Sequence, residues 1–396
     1  MAEIAPARQA RSIGAMNSLY AGLGATIFEV MSRLAAERGA INLGQGFPEE
    51  DGPIDIREAA ARALVEQSNQ YPPMRGLPEL RQAVAAHYNA YHGLDLDWTR
   101  EVTITSGATE AIAAALLAFI EPGDEVVLFE PLYDSYLPMV RRAGGAPRIV
   151  RLDPPHWRFD REALEAAFTP RTRVVVVNTP LNPSASVFAR DDLAFLAALC
   201  VKHDCVVVSD EVWEHVLFDG RSFDSMLHVL RDRALKIGSA GKMFSLTGWK
   251  VGFACASPAL TEQFVKAHQF LTFTTAPNLQ RGVAYGLAKE RAYFEAMRAG
   301  FQRARDRLVR ALEGEGFVTL PAAGAYFVSI DLAASGIGMG DEAFARHCIE
   351  HGVAVIPFSA FYENSGAPAL VRLCFAKSDE TLDRGAEALA RAKKSA

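Results

Sequence analysis

The stretch "KIGSAGKMFSLTGWKVGFACAS", residues 236–257, places Lys242 and Lys250 among small, apolar and glycine residues, with no acidic side chain within it. Lysine is rarely buried without a partner. Two ammonium groups in such surroundings indicate a ligand that supplies the partners that the local sequence lacks.

A second candidate binding element is the turn in "TITSGATEAIA", which leads from an apolar strand into a helix. With Ser106 and Thr109 as caps, its N–H groups would form an anion site. Taken alone, the pattern is also typical of ordinary helix capping.

Polar side chains also follow the other apolar runs. Asp210 ends "VVVSDEVWE", Asn182 stands in the proline-bracketed turn of "VVVVNTPLNPS", Tyr133 lies in "FEPLYDSY", and Ser239 precedes Lys242. A buried carboxylate is costly unless it meets a cation or a strong donor. An anion site, an acid, an amide, an aromatic ring and two lysines together suit one anionic, aromatic, carbonyl-bearing ligand. Pyridoxal 5′-phosphate meets each requirement.

These residues need a scaffold that brings strand ends together. Continuous β-branched runs at 101–106, 124–130, 173–180, 205–211 and 234–240 alternate with helical patterns. Such alternation predicts an α/β fold with a mostly parallel sheet flanked by helices. Ligands of these folds bind at the carboxyl ends of the strands. From about residue 286 the pattern changes to long helices and separate strands, which predicts a smaller α+β domain.

Composition narrows the function classes. The chain has 396 residues, a net charge of −6 and a pI near 5.9. These values argue against a general affinity for nucleic acid or acidic membranes. The longest apolar run, "AIAAALLAFI", is too short to span a membrane. The N-terminal stretch 1–24 lacks the apolar region of a secretory signal, although its arginines and few acids have some likeness to an organelle transit peptide.

The five scattered cysteines favour reduced thiols and a cytoplasmic protein. "CVKHDC", residues 200–205, has the residue types of a metal site, but it joins a helical pattern to an apolar strand. Core cysteines are therefore the better interpretation, and we predict no metal.

Several ordered motifs resemble the class I/II aminotransferases, which are fold type I pyridoxal-phosphate enzymes. They are "INLGQGFPEEDGP", "NQYPPMRGLPELRQAVAAHY", "EPLYDSYLP", "DEVWE", "SAGKMFSLTGWKVGF", "PAAGAYFVSID", "VAVIPFSAFY" and "VRLCFAK". The resemblance runs from about residue 25 to the end and is closest to the branch of kynurenine, glutamine K and methionine aminotransferases. It implies a seven-stranded, mostly parallel sheet in a large domain, residues 45–285. Residues 1–44 and 286–396 would form the small domain.

The resemblance also implies roles for the cofactor-binding residues. Lys242 matches the lysine that forms the Schiff base (internal aldimine) and then shuttles the proton. Asp210 matches the partner of the pyridine nitrogen, Asn182 the donor to the phenolic oxygen, and Tyr133 the stacked aromatic. Lys250 matches the cation at the phosphate. The remaining phosphate ligands would be Gly107, Ala108, Thr109 and Ser239.

For the substrate, Arg372 matches the residue that binds the α-carboxylate, and Gly46 matches a turn that approaches the substrate. Tyr71 matches a tyrosine that reaches the phosphate of the neighbouring subunit. Thr274, in "TFTTAP", matches a position that lines the neighbour's substrate pocket. These matches imply a homodimer with shared active sites.

The sequence departs from the family pattern at two places. Trp213 stands where the family usually has a tyrosine whose hydroxyl donates to the cofactor. "TPLNPSAS" carries Ser184 and Ala185 where Thr-Gly is usual, and Leu181 where His or Asn is common. Asn182 is retained, so we expect cofactor binding to survive, while the substrate range is open.

The leading prediction is a transaminase that moves an amino group from methionine, glutamine, an aromatic amino acid or kynurenine to a 2-oxo acid by a ping-pong mechanism. One alternative is β-elimination from cysteine S-conjugates or cystathionine. Another is an N-succinyldiaminopimelate-type aminotransferase. The third is a cofactor-binding protein that has lost turnover or serves regulation.

Overall fold

The structure is a computed structural model, and it describes residues 17–363 and 366–396. The transit-peptide alternative therefore lies largely outside the described residues. The first described elements are α1 (Ser18–Ala21), α2 (Ile27–Arg38), β1 (Ile41–Asn42), α3 (Ile54–Glu66), α4 (Pro78–His92), β2 (Val102–Thr105), α5 (Gly107–Phe119), β3 (Glu125–Glu130), α6 (Tyr136–Arg142), β4 (Ala146–Asp153), β5 (Arg158–Phe159) and α7 (Arg161–Ala167).

The middle of the chain contains β6 (Thr172–Asn178), α8 (Arg190–Lys202), β7 (Val206–Asp210), β8 (Ala234–Ser239), α9 (Ala240–Met243), β9 (Gly252–Ala256), α10 (Pro258–Leu271) and α11 (Pro277–Leu287). The last part contains α12 (Arg291–Gly314), β10 (Val318–Thr319), β11 (Phe327–Asp331), α13 (Asp341–Glu350), β12 (Val353–Ala354), β13 (Ile356–Pro357), β14 (Leu370–Cys374) and α14 (Asp379–Lys394). Short 3-10 helices cover Met226–His228, Thr247–Trp249 and Phe358–Phe361.

The main sheet has the strand order β2-β9-β8-β7-β6-β3-β4-β5. The pairs from β8 to β4 are parallel, β9 is antiparallel to both of its neighbours, and β5 is antiparallel to β4. The α/β class with a mostly parallel sheet is thus confirmed. The predicted count of seven strands omits β5, a two-residue edge strand too short to give a sequence pattern.

The central strands are apolar throughout because both faces of the sheet are covered. In β6, Val175 and Val177 pack into the core on one face, while Val174 and Val176 pack into the core on the other. Helices α5 and α10 contact each other over the second face. The ends of these buried strands are therefore fixed relative to one another.

A second core surrounds the antiparallel sheet β10-β11-β14-β13 and the parallel pair β1-β12. It draws on α12, α13 and α14, and α2 contributes Met31 and Ala35. Trp213 and Phe218 pack into the same core although they follow β7. The domain division at residues 45 and 286 stays a prediction, but the two cores agree with two bodies of this kind.

The five cysteines are buried and form no disulfide. Cys200 and Cys205 lie in the core of the main sheet, as expected. Residues 17–363 and 366–396 contain no cluster of side chains suited to a metal ion. Within the same ranges, none of the helices combines the length and the apolar character needed to cross a bilayer.

Candidate active site

A cavity of about 440 Å³ lies where the carboxyl ends of β6, β7 and β8 face the start of α5 and β14. Parallel strands end at the same edge of a sheet, which is why distant motifs meet there. The predicted site residues that line it are Gly46, Gly107, Ala108, Thr109, Tyr133, Asn182, Asp210, Trp213, Ser239, Lys242, Lys250 and Arg372.

The first turn of α5 forms one end of the cavity. Gly107 has a φ of +78°, and a Cβ at this position would lie 3.1 Å from Cε of Lys250. Glycine alone suits both the backbone angle and this close approach. Lys250 Nζ donates to Thr109 Oγ1 at 3.3 Å. A cationic amine therefore stands over the N–H end of a helix, a combination that favours an anion.

Ser106 occupies the N-cap position of this helix, but its side chain does not cap the helix as predicted. Its side chain makes no capping hydrogen bond, and its hydroxyl pairs with Thr275 Oγ1 at 2.8 Å. The Ser106 backbone N–H donates to the carboxylate of Glu110 at 3.1 Å. The prediction is wrong because the competing partner, Thr275, comes from a segment that is distant in sequence.

Asp210 ends β7 and is buried at the cavity wall. Tyr136 donates its hydroxyl to Asp210 Oδ2 at 2.6 Å, and the Val212 backbone N–H lies 3.4 Å from Oδ1. Burial raises the pKa of the Asp210 carboxyl, and these donors act in the opposite direction. Within the described residues, Asp210 forms no ion pair, so a cation in the cavity would be its natural partner.

Lys242 follows β8 on the short helix α9 and faces the cavity. Its amine lies 4.7 Å from the centre of the Trp213 ring and 3.4 Å from the hydroxyl oxygen of Tyr326. Burial lowers the pKa of Lys242 to about 8. An appreciable fraction of this amine is therefore neutral near pH 7–8, as a nucleophile toward a carbonyl carbon requires.

Arg372 lies on β14 and is buried. Its Nη1 donates to Asn182 Oδ1 at 2.7 Å and its Nη2 donates to the Gly44 carbonyl at 2.7 Å. Its Nε has no hydrogen-bond partner among the described residues. Burial lowers the pKa of Arg372 to about 10, so the guanidinium remains charged at neutral pH. A buried, incompletely paired guanidinium is suited to a carboxylate ligand.

Aromatic rings surround the same guanidinium. Its carbon lies 4.1 Å from the ring centre of Phe327, 5.2 Å from that of Phe361 and 5.3 Å from that of Phe28. A Cβ on Gly46 would come within 2.9 Å of Phe327, so the predicted close turn at Gly46 packs directly against this group. The rings exclude water and strengthen the interaction of Arg372 with an anion.

The sequence and the fold are similar to those of known proteins. A family model described as aminotransferase class I and II matches residues 38–389. The methionine aminotransferase of Escherichia coli (strain K12) is 41% identical over 93% of this chain and 96% of the relative. A probable N-succinyldiaminopimelate aminotransferase of Mycobacterium tuberculosis (strain ATCC 25618 / H37Rv) is 42% identical over 90% of this chain and 94% of the relative.

The crystal structure of YbdL from Escherichia coli, reported with a methionine aminotransferase function, matches with a TM-score of 0.92 and 40% identity. It covers 95% of this chain and 99% of that one. The chain belongs to the class I and II aminotransferases. The resemblance seen in the sequence, the fold class and the enzyme class are confirmed.

Trp213, the departure from the aminotransferase pattern, lines the cavity beside Lys242. Its ring packs edge-on against Tyr326, with ring centres 4.1 Å apart. At the second departure, Ala185 adopts a φ of +60°, which favours glycine. Its carbonyl accepts from the backbone N–H groups of Ala323 and Gly324. Ala185 therefore keeps a glycine-like conformation because this contact with the second core holds it.

Tyr71 and Thr274 do not line the main cavity of this aminotransferase. They share a separate surface pocket of about 330 Å³, formed by residues 69–72 and 274–278. Tyr71 is 84% exposed and packs edge-on against Phe273 at 5.7 Å. Both residues thus lie away from the Lys242 of their own chain.

Two tyrosines of the site were missed at the level of the sequence. Tyr136 donates to Asp210, and Tyr326 contacts Lys242. Tyr136 lies three positions after Tyr133 in a motif already singled out, and Tyr326 lies in another such motif. A buried hydroxyl has to find a partner, so each tyrosine was a candidate, but only the fold identifies the partner.

Proposed function

We propose that this aminotransferase binds pyridoxal 5′-phosphate in the main cavity and moves an amino group from a neutral L-amino acid to a 2-oxo acid. The observation that carries the proposal is the Lys242 amine, which has a lowered pKa and forms no ion pair with any of the described residues. It shares one cavity with Asp210, Lys250 and Arg372.

The residues fit this cofactor. A phosphate would meet Lys250 and the first turn of α5, where Gly107 leaves room that a Cβ would fill. The buried Asp210 carboxylate would accept from a protonated ring nitrogen, and Tyr136 holds that carboxylate in place. Asn182 Oδ1 accepts from Arg372, which leaves the amide NH₂ as its donor toward the ring oxygen.

When bound, pyridoxal phosphate supplies an aldehyde carbon and an electron sink. Arg372 orients the substrate through its α-carboxylate, aided by the aromatic rings around the guanidinium. Lys242 would take the proton from the Cα of the amino-acid donor and, in the second half-reaction, would return a proton to the carbonyl carbon of the 2-oxo acid acceptor, which becomes the Cα of the new amino acid. A protonated ring nitrogen would favour the ionised form of Asp210, against the effect of burial, which raises the pKa of this carboxyl. Tyr133, whose pKa burial raises to about 12, remains a neutral aromatic wall of the cavity.

The lining of the cavity favours a substrate without a second acidic group. Among the described residues, the cations that line it are Lys242, Lys250 and Arg372, and each already has a role in the proposal. Phe28 and Phe47 line the part contributed by the N-terminal segment. Methionine suits these rings, and glutamine, aromatic amino acids and kynurenine are further candidates. Sulfur contacts aromatic rings favourably.

An N-succinyldiaminopimelate-type activity is the second candidate, supported by the 42% identity to the mycobacterial relative. Its acidic substrate would need a further cation, which a second subunit could supply. β-Elimination would use the same Lys242 and Arg372, and it differs in releasing ammonia and a 2-oxo acid without an acceptor.

We further propose a homodimer in which Tyr71 and Thr274 of one copy complete the site of the other. Tyr71, Phe270 and Val65 are each more than four-fifths exposed, an unusual cost for a lone chain. Sedimentation should give twice the 43.0 kDa chain mass. The reduced, buried cysteines suit the cytoplasm, which we propose as the compartment.

Absorbance spectroscopy of the reconstituted protein tests the proposal. Methionine should convert the bound cofactor from its aldehyde to its amine form, and a 2-oxo acid should reverse the change. Glutamate and N-succinyldiaminopimelate serve as acidic comparisons, and ammonia release reports elimination. A cofactor spectrum that no amino acid alters would contradict the proposal and support a protein without turnover.

A further inference from the structure

Tyr326 lies just before β11 and is fully buried in the second core. Its hydroxyl donates to the carbonyl of Gly46 at 2.8 Å. The same oxygen lies 3.4 Å from Nζ of Lys242. Tyr326 thus connects the amine at the end of β8 to the loop that follows β1.

The direction of these hydrogen bonds follows from counting hydrogens. A phenol has one O–H donor. Because the Gly46 carbonyl can only accept, the Tyr326 hydrogen points toward Gly46. The oxygen therefore presents a lone pair to Lys242, and Lys242 must be the donor.

Trp213 cannot take over this contact. An indole carries an N–H donor and no acceptor for an ammonium N–H. Its ring face lies 4.7 Å from Lys242 Nζ and attracts the amine without fixing its rotation. A hydrogen bond from Lys242 to an oxygen gives the direction that a ring face does not.

We propose that Tyr326 is a positioning residue that holds and orients the amine of Lys242 through its hydroxyl oxygen, beside the Trp213 ring. The inference rests on the proposed function, in which Lys242 is the amine that reacts with the cofactor. In this chain, the phenolic hydroxyl beside Lys242 therefore comes from the segment before β11, while position 213 carries an indole.

A second consequence concerns the loop 44–46. Tyr326 donates to the carbonyl of Gly46, and Arg372 donates to the carbonyl of Gly44. The Lys242 amine, through Tyr326, and the Arg372 guanidinium are therefore both linked by hydrogen bonds to the same short stretch of backbone. A shift of this loop would move both groups together.

The test compares wild type with Tyr326→Phe in the cofactor-free protein. Trinitrophenylation of Lys242 by trinitrobenzenesulfonate, in which the neutral amine displaces sulfite from the ring, reports the neutral fraction of the amine when it is followed by mass spectrometry across a pH series. The other titratable groups that act on the pKa of Lys242 are Cys374, Asp210, Arg372 and Lys250, and the variant leaves them unchanged. An acceptor favours the charged amine, so its removal should lower the midpoint from near 8 by roughly half a pH unit to one unit.

Tyr362→Phe is the matched control, because it removes another buried hydroxyl, one that lies outside the cavity. Its midpoint should equal that of wild type. An unchanged midpoint in Tyr326→Phe, or an equal shift in both variants, would overturn the inference. If Tyr326→Phe does not fold, 3-fluorotyrosine at position 326 keeps the shape and weakens the acceptor. It should then shift the midpoint in the same direction by a smaller amount.

A second measurement uses the reconstituted enzyme. In Tyr326→Phe, the pH titration of cofactor absorbance should shift and kcat should fall more than KM rises, because the α-carboxylate site is intact. A change confined to thermal stability would indicate packing alone and overturn the inference. Wild-type protein that takes up no cofactor would contradict the proposed function instead, while the trinitrophenylation profile of Lys242 still tests Tyr326.

Discussion

Lys236 and Lys242 belong to one strand-and-turn segment, yet their surroundings are opposite. Lys236 lies in the middle of β8 and is fully buried. It pairs with the carboxylate of Glu214 and with that of Glu211 at 3.2 Å, and its amine lies 4.3 Å from the Tyr88 ring centre. Burial alone would lower the pKa of Lys236, but the two carboxylates outweigh it and raise the pKa.

Lys242 faces the cavity, whereas Lys236 contacts two carboxylates. Within the described residues Lys242 forms no ion pair, and burial lowers its pKa to about 8. Lys236 is fully buried and Lys242 is partly buried at the cavity, so withdrawal from the surface by itself does not distinguish a structural lysine from a reactive one. The presence or absence of acidic partners decides the direction of the pKa shift. The partners of Lys236, Glu211 and Glu214, come from the turn after β7.

The largest difference between the two lysines should appear in catalysis. Lys242→Ala should lower the rate of amino-group transfer by about 10³-fold or more, since it removes both nucleophile and base. Single-turnover absorbance with methionine measures this. Lys266→Ala, at an exposed position on α10, is the control and should react like wild type. Near-normal rates in Lys242→Ala would show that Lys242 is not the reactive lysine of the pair.

Stability should show the reverse order. Lys236→Met leaves Glu211 and Glu214 buried without their cation, and we expect a loss of about 3–5 kcal/mol in the free energy of unfolding. Urea denaturation of the cofactor-free protein measures it, with Lys266→Met as the matched control. If the loss is under about 1 kcal/mol, the carboxylates are not acting as the partners of an ammonium group.

Lys242→Met should instead stabilise the cofactor-free protein near pH 7, by about 2–3 kcal/mol. The folded chain releases the Lys242 proton near pH 8, whereas the usual value is 10.5. The cost of the buried charge is thus complete below pH 8 and disappears as the pH rises toward 10.5. Denaturation at pH 7, 9 and 10.5 should show the gain shrinking. A gain that is independent of pH would point to packing.

A smaller, matched test uses the tyrosines that donate to the two acids. Tyr88 donates to Glu214 Oε1 at 2.7 Å, and Tyr136 donates to Asp210 Oδ2 at 2.6 Å. Tyr88→Phe should cost about 1–2 kcal/mol of stability and leave cofactor affinity unchanged. Tyr136→Phe should weaken cofactor binding roughly tenfold. Equal effects of both variants on cofactor affinity would mean that the two regions are not independent.

The sequence predicted the strands, the alternation with helices and most of the cavity lining, because these depend on local patterns and on motifs in order. Lys236 shows what was out of reach. Lys236 begins the same stretch of sequence that contains Lys242, but the carboxylates that pair with it, Glu211 and Glu214, follow a different strand, β7. Tyr326 and Gly46 are 280 positions apart, so no local pattern links them. The capping side chain predicted at Ser106 fails for the same reason, because the partner of its hydroxyl, Thr275, is 169 positions away.

Trp213 gives the molecule an optical signal of its own. Of the four tryptophans, Trp98, Trp157, Trp213 and Trp249, it is the one among the residues that line the main cavity. Its indole emission should be quenched by energy transfer when a chromophore enters beside it. Occupancy of the cavity can then be followed by fluorescence in the unlabelled protein, with Trp213→Phe as the blank.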